Sequence, residues 1–194
     1  MAISLAKGSN ISLAKEAPGL STAVVGLGWG KKNAKGLFGR DKQVSVDLDA
    51  SCLLFDEHKK MLDQVWYRQL RSRDGSILHS GDDLTGGGAE TDPNEEIVIH
   101  LDKIPSSVAT LMITVNSYSA VSFDGIPNAF CVLKNQDNGQ EVARYDLSVE
   151  GGGHTGLVIA KLYRHNGEWK FKALGEWGQG RTFEALMPVM QNYL

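Results

Sequence analysis

Gly156-Leu157-Val158-Ile159-Ala160-Lys161-Leu162-Tyr163, the turn His165-Asn166-Gly167, and the return Glu168-Trp169-Lys170-Phe171-Lys172-Ala173-Leu174 read as two strands joined by a tight reversal. The runs are short, apolar and alternating, and Asn and Gly are residues that tolerate sharp turns. The same unit recurs upstream. Residues 129–133 form an apolar run, Asp137-Asn138-Gly139 supplies hairpin chemistry, and residues 141–146 return. Further strand-like runs lie at residues 23–27, 44–49, 52–55, 63–70, 97–101 and 111–115, with turns at residues 56–59 and at Asp74-Gly75. Residues 28–39 read as a glycine- and lysine-rich loop, and residues 102–108 as a connection containing Pro105. At the start, Ile3-Ser4-Leu5-Ala6-Lys7 echoes Ile11-Ser12-Leu13-Ala14-Lys15 across Gly8-Ser9-Asn10, which predicts a β-hairpin. Helical spacing occurs only near the end, where Phe183, Leu186, Met187 and Met190 can share a face and Pro188 limits the length. The expected fold is all-β: a β-sandwich of mostly antiparallel strands with a short C-terminal helix, in one domain over residues 1–194.

Composition agrees with a soluble globular chain. Of 194 residues, 42% are hydrophobic and 22% charged, enough for a core that stands without disulfides. The formal net charge of −3 argues against nucleic acid as a partner, because such proteins carry a basic stripe. The one basic run, Lys31, Lys32, Lys35 and Arg40, reads as a solvated loop. No transmembrane segment is evident, and the start lacks the pattern of a signal peptide, so the expected location is cytoplasmic. Cys52 and Cys131 lie in apolar runs and read as reduced, buried thiols.

The chemistry-bearing residues are acids on glycine-marked turns. Asp47 and Asp49 are two apart in a strand, so they share a face opposite Val46 and Leu48. Two carboxylates so placed repel unless something positive lies between them. Asp82 and Asp83 follow Gly81 and precede Gly86-Gly87-Gly88, and Glu90, Asp92, Glu95 and Glu96 lead into the next strand. Oxygen ligands on sharp turns suit a hard cation, above all calcium, which takes about six to eight of them. The alternative is a set of solvated loop acids. The Asp-x-Asp-x-Asp-Gly loop of an EF-hand is absent, and no histidine or cysteine is spaced for zinc. His79, just before the acidic loop, is placed to orient a carboxylate or to serve as an ordinary turn residue.

Enzyme signatures are few. There is no Gly-x-Ser-x-Gly elbow and no phosphate loop, and no helix pattern follows Gly26-Leu27-Gly28-Trp29-Gly30. A hydrolase using two carboxylates as acid and base is the enzymatic alternative. A metal-free interaction module is the other. Trp29, Trp66 and Trp169 read as packing residues, and Trp177, in a glycine-rich loop, as a possible partner contact.

At these residues the chain resembles the TerD family, the tellurium-resistance proteins of bacterial stress operons. The likeness runs through Ile11-Ser12-Leu13-Ala14-Lys15, Val25-Gly26-Leu27-Gly28-Trp29, Val46-Asp47-Leu48-Asp49-Ala50-Ser51 and His79-Ser80-Gly81-Asp82-Asp83-Leu84-Thr85-Gly86. It continues through Asn128-Ala129-Phe130, Ala143-Arg144-Tyr145-Asp146-Leu147-Ser148 and Tyr163-Arg164-His165-Asn166-Gly167-Glu168-Trp169-Lys170. The resemblance implies a β-sandwich, calcium held by acidic loops and a non-enzymatic role in a tellurite and stress response. It also implies other Ter-type stress proteins as partners, at a membrane-associated complex. Asp47 and Asp49 match the family's Asp-x-Asp, and Asp82 matches the Asp of its Gly-Asp-Asn, with Asp83 in place of Asn. Glu95 or Glu96 matches the acid before the next strand. Two departures bear on the number of ions: Gly30 stands where the family has an acid after Trp29, and the stretch between Gly88 and Glu95 is longer than usual.

Overall fold

The computed structural model describes residues 3–4, 10–12, 19–35, 41–87 and 93–194. Two six-stranded sheets face each other. Sheet I contains β1 (Ile3–Ser4), β3 (Thr22–Gly28), β8 (Ile77–His79), β9 (Glu95–His100), β11 (Phe130–Asn135) and β12 (Glu141–Asp146), in the order β1-β12-β11-β3-β9-β8. Sheet II contains β2 (Asn10–Ser12), β6 (Leu48–Phe55), β7 (Met61–Val65), β10 (Thr110–Ser117), β13 (Gly156–His165) and β14 (Glu168–Gly178), in the order β2-β14-β13-β10-β6-β7. Pairing is antiparallel throughout except where β1 joins β12. The sandwich expected from the turn spacing is the fold observed.

The β13–β14 hairpin shows why its sequence reverses so tightly. His165 pairs with Glu168, leaving a two-residue loop. Asn166 and Gly167 take φ of 53° and 79°. Both angles are left-handed, the condition for the turn whose twist matches the flanking strands.

The main core lies between the sheets. Val25, Leu27, Ile97 and Ile99 from sheet I meet Leu48, Ala50, Cys52, Leu54, Ile113 and Val115 from sheet II. A second cluster lies on the outer face of sheet II. There Leu53, Phe55, Met112, Val158 and Leu174 pack against Phe183, Leu186 and Met190 of the C-terminal segment. That segment is a 3-10 turn (Phe183–Leu186) continued by α2 (Met187–Gln191), which follows α1 (Leu147–Glu150) in the chain. Because both faces of β6 are covered, all eight of its residues are buried. Cys52 and Cys131 are buried free thiols, and burial pushes the Cys131 thiol up to about 12.

Several local expectations need correction. β1 and β2 do not pair with each other: β1 extends sheet I beside β12, and β2 extends sheet II beside β14. Both sheets offer an open edge there, so each short segment gains backbone partners by joining a different sheet. The loop after residue 28 contains a small hairpin of β4 (Lys32–Lys35) and β5 (Asp41–Val44). The expected strand over residues 63–70 ends at Val65, where Trp66 and Gln69 close a turn. Pro188 falls in the first turn of α2, where it has no intrahelical donor to lose, and so opens the helix rather than breaking it. Trp177 lies in β14, not in a loop, and packs against Phe123 with ring centroids 5.6 Å apart.

Leu54→Ala should destabilise the fold by about 3 kcal/mol, because it opens a cavity between the sheets. Leu84→Ala, at a side chain 59% exposed, should shift stability by less than about 0.5 kcal/mol. Urea unfolding followed by tryptophan fluorescence measures both.

Candidate metal centre

Asp47, Asp49 and Asp82 converge. One carboxylate oxygen from each lies within 4.8 Å of the others. The first two come from the chain entering β6. Val46 and Leu48 turn inward to the core, so Asp47 and Asp49 turn outward together, as the alternation requires. Asp82 comes from the loop after β8 and is exposed. Asp49 is only 5% exposed.

The electrostatics of the group are adverse without a cation. Burial, then the charges of Asp82, Glu95 and Asp83, raise the Asp47 carboxyl to about 6. Burial, then Asp47, Glu95 and Asp82, raise Asp49 to about 8. Oδ1 of Asp47 and Oδ2 of Asp49 are buried with no hydrogen-bond partner. A buried acceptor without a donor is costly. Oxygens that are buried, unpaired and mutually repelling fit a hard cation, which satisfies all of them at once.

Asp83 and Glu95 hold the site rather than line it. Oδ1 of Asp83 accepts the Thr85 and Gly86 N–H groups and the Thr85 hydroxyl, at 2.9, 3.1 and 2.8 Å. Its Oδ2 accepts from Asn94 Nδ2 at 2.9 Å. Burial opposes ionisation of Asp83, but these donors outweigh it and hold its carboxyl below the usual range. Glu95 is wholly buried, and its two oxygens accept the N–H of Ala50 at 3.0 Å and of Asp83 at 3.1 Å. Glu95 thereby ties β6 to the Asp82 loop. Strand alternation sends the neighbouring Glu96 to the other face of β9, away from Glu95. Glu90 and Asp92 lie outside the described residues.

His79 is buried beside Glu95 without a hydrogen bond to it. Gly81 N–H donates to its Nδ1 at 3.1 Å, so the ring hydrogen sits on Nε2, 3.5 Å from Glu95 Oε2. Two further residues were not evident from the sequence. Asn94 bridges Asp83 to the Trp29 N–H, which donates to Asn94 Oδ1 at 2.9 Å. Trp29 also donates its indole N–H to Val46 O at 2.7 Å and accepts the Gly87 N–H at 3.0 Å. A Cβ on Gly86 would lie 2.4 Å from the Trp29 indole nitrogen, so that position requires glycine for the loop to rest on the ring.

At Gly30, which stands where the family has an acid, the backbone N–H donates to Pro127 O at 2.8 Å. A Cβ there would lie 3.0 Å from the same oxygen, so a side chain would have to push Pro127 aside.

The TerD domain model matches residues 1–193. The chain belongs to the TerD family. The tellurium resistance protein TerZ of Serratia marcescens is 44% identical to it over 94% of this chain and 93% of its own. General stress protein 16U of Bacillus subtilis (strain 168) is 41% identical over 93% of each chain. Among solved structures, a homologue of the telluride resistance protein TerD from Streptomyces coelicolor A3(2) superposes with a TM-score of 0.69. It is 22% identical and covers 84% of this chain and 92% of its own, a likeness of fold. This TerD-family chain thus sits among tellurium-resistance and stress-response proteins. Among its described residues, no helix is long and apolar enough to cross a membrane.

The raised carboxyls fix the sign of a pH effect. In the unfolded chain both acids release their protons near 3.8, whereas the folded, metal-free protein keeps them to about 6 and about 8. Their contribution to stability is therefore greatest below about pH 4 and is lost as pH rises to about 8. Asp49→Asn should remove much of that decline in chelator-treated protein. Melting temperatures of the two proteins across this range, compared by circular dichroism, test it.

Proposed function

We propose that this chain is a calcium-binding, non-enzymatic component of a tellurite-resistance and stress-response system, acting as a binding or scaffold protein beside other Ter-type proteins in the cytoplasm. The observation that carries the reading is the pair of buried, unpartnered oxygens on Asp47 and Asp49 beside Asp82. Asp47, Asp49 and Asp82 are the side chains that would hold the ion, with Asp83, Glu95 and Asn94 fixing their spacing. The names of the relatives supply the setting, tellurium resistance and general stress. A glycosidase-type acid and base stand about 5–9.5 Å apart on either side of a bond. Three acids drawn within 4.8 Å of one another support a shared ion instead.

An ion bound only by the folded state stabilises it by mass action. Calcium at about one hundred times its dissociation constant should add roughly 2.7 kcal/mol, or about 5–10 °C in melting temperature. Asp47→Asn should abolish most of that shift. Asp56→Asn, in the β6–β7 turn, should leave the calcium affinity unchanged. Calorimetric titration of metal-stripped protein decides the matter: no heat and no thermal shift at millimolar calcium would sink the reading.

A further inference from the structure

Beside Asp49, on the outer face of sheet II, stands a polar side chain that the sequence did not single out. Asn116 is 1% exposed and sits on β10, paired in register with Asp49 of β6 on one side and Gly156 of β13 on the other. The orientation of its amide is fixed. Nδ2 donates to Gly180 O at 3.0 Å and lies 3.0 Å from the position of a Cβ on Gly156. The nitrogen therefore lies on the β13 side, and the oxygen is on the other branch of the amide, with β6 and Asp49 the neighbours across from β13. That oxygen, Oδ1, is buried with no hydrogen-bond partner, and so is Oδ2 of Asp49. Side chains paired across antiparallel strands have Cβ atoms about 4.5–5.5 Å apart. Once Asp49 has lost its proton, its carboxylate and the amide oxygen are both acceptors, so neither satisfies the other. A hard cation satisfies both, and amide carbonyl oxygens are ordinary calcium ligands.

The other end of the same amide holds the C-terminal segment. Gly180, bonded to Asn116 through its carbonyl, donates its N–H to Thr155 Oγ1 at 3.0 Å. Phe183, Leu186 and Met190 then pack on the outer face of sheet II, and Lys161 Nζ donates to Tyr193 O at 2.7 Å.

We propose that Asn116 gives its amide oxygen to the cation on Asp49 and, through its amide nitrogen, couples occupancy of that site to the docking of residues 180–194 on sheet II. The proposal rests on the calcium reading above and adds a fourth side-chain ligand and a regulated element to it. A bound cation holds the amide by its oxygen, which aligns the N–H on Gly180 and tightens the segment. By reciprocity, a docked segment presents the oxygen and tightens the ion.

Titration calorimetry and hydrogen exchange of metal-stripped protein, with and without calcium chloride, test this. Calcium should slow amide exchange across residues 181–191 on the order of tenfold. Asn116→Ala should weaken calcium roughly tenfold and remove the slowing. Asn116→Asp keeps the volume and an oxygen but loses the N–H. It should recover affinity lost in Asn116→Ala while exchange over 181–191 stays fast, and it serves should the alanine variant fail to fold. Calcium binding to the wild type without a change in exchange over 181–191 would overturn the coupling and leave the calcium reading intact. Asn116→Ala binding as tightly as wild type would overturn the ligand assignment. A wild-type chain that takes up no calcium would remove both.

Discussion

The site depends first on Trp29. Its backbone and indole make three polar bonds, each to a different segment: Val46 before β6, Gly87 after the Asp82 loop, and Asn94 before β9. The ring is 3% exposed, so these bonds are formed where an unpaired group is expensive. Each anchored segment carries an acid within a few residues: Asp47, Asp82 with Asp83, and Glu95. Trp29 gives three loops from two sheets a common reference, alongside the bonds that Glu95 makes to Ala50 and Asp83. With it, carboxylates far apart in sequence are held within a few ångströms, at a density they would not choose in water.

Holding them there has a cost. Asp47 is half-buried and Asp49 buried, and their charged neighbours all disfavour ionisation. Glu95 and Asp83 are near the same charges, yet they are spent on backbone N–H groups and the Asn94 amide, which supply compensating donors. The acids divide accordingly. Those with donors brace the loops, and those without keep free oxygens. Pairing some acids so thoroughly while leaving two oxygens bare beside them is the contrast on which the proposed cation site rests. Protein dipoles satisfied the braces, and they were not extended to Asp47 and Asp49.

Much of this was legible beforehand. Strand alternation placed Asp47 and Asp49 on one face, because period two is a local property that Val46 and Leu48 reveal by their apolarity. The tight hairpin at Asn166-Gly167 was equally local. What escaped was whatever depends on pairing between distant strands. The echo of Ile3-Ser4 in Ile11-Ser12 suggested a hairpin, and pattern alone does not say which sheet edge a short strand will join. Asp83 and Glu95 read as ligands because a sequence shows an acid but not the donors that occupy it. Asn116 gave no signal at all, since its meaning comes from standing opposite Asp49 on a strand more than sixty residues away.

That last point bears on Gly30. Gly30 stands where the family has an acid, and its backbone is bonded to Pro127 and leaves little room for a side chain. A loop acid there would bring a further negative charge. An amide oxygen on β10 is neutral, and its carrier is held by ladder bonds on both sides. As the proposed ligand, the amide would add no charge repulsion around Asp49 and would stand on a strand rather than a loop, where positions are held more closely. Fewer charges weaken the pull on the ion, whereas a better-fixed oxygen costs less to order around it. With Asn116 as the proposed ligand, occupancy would be read through the sheet, and the element on that side of the sheet is the C-terminal segment.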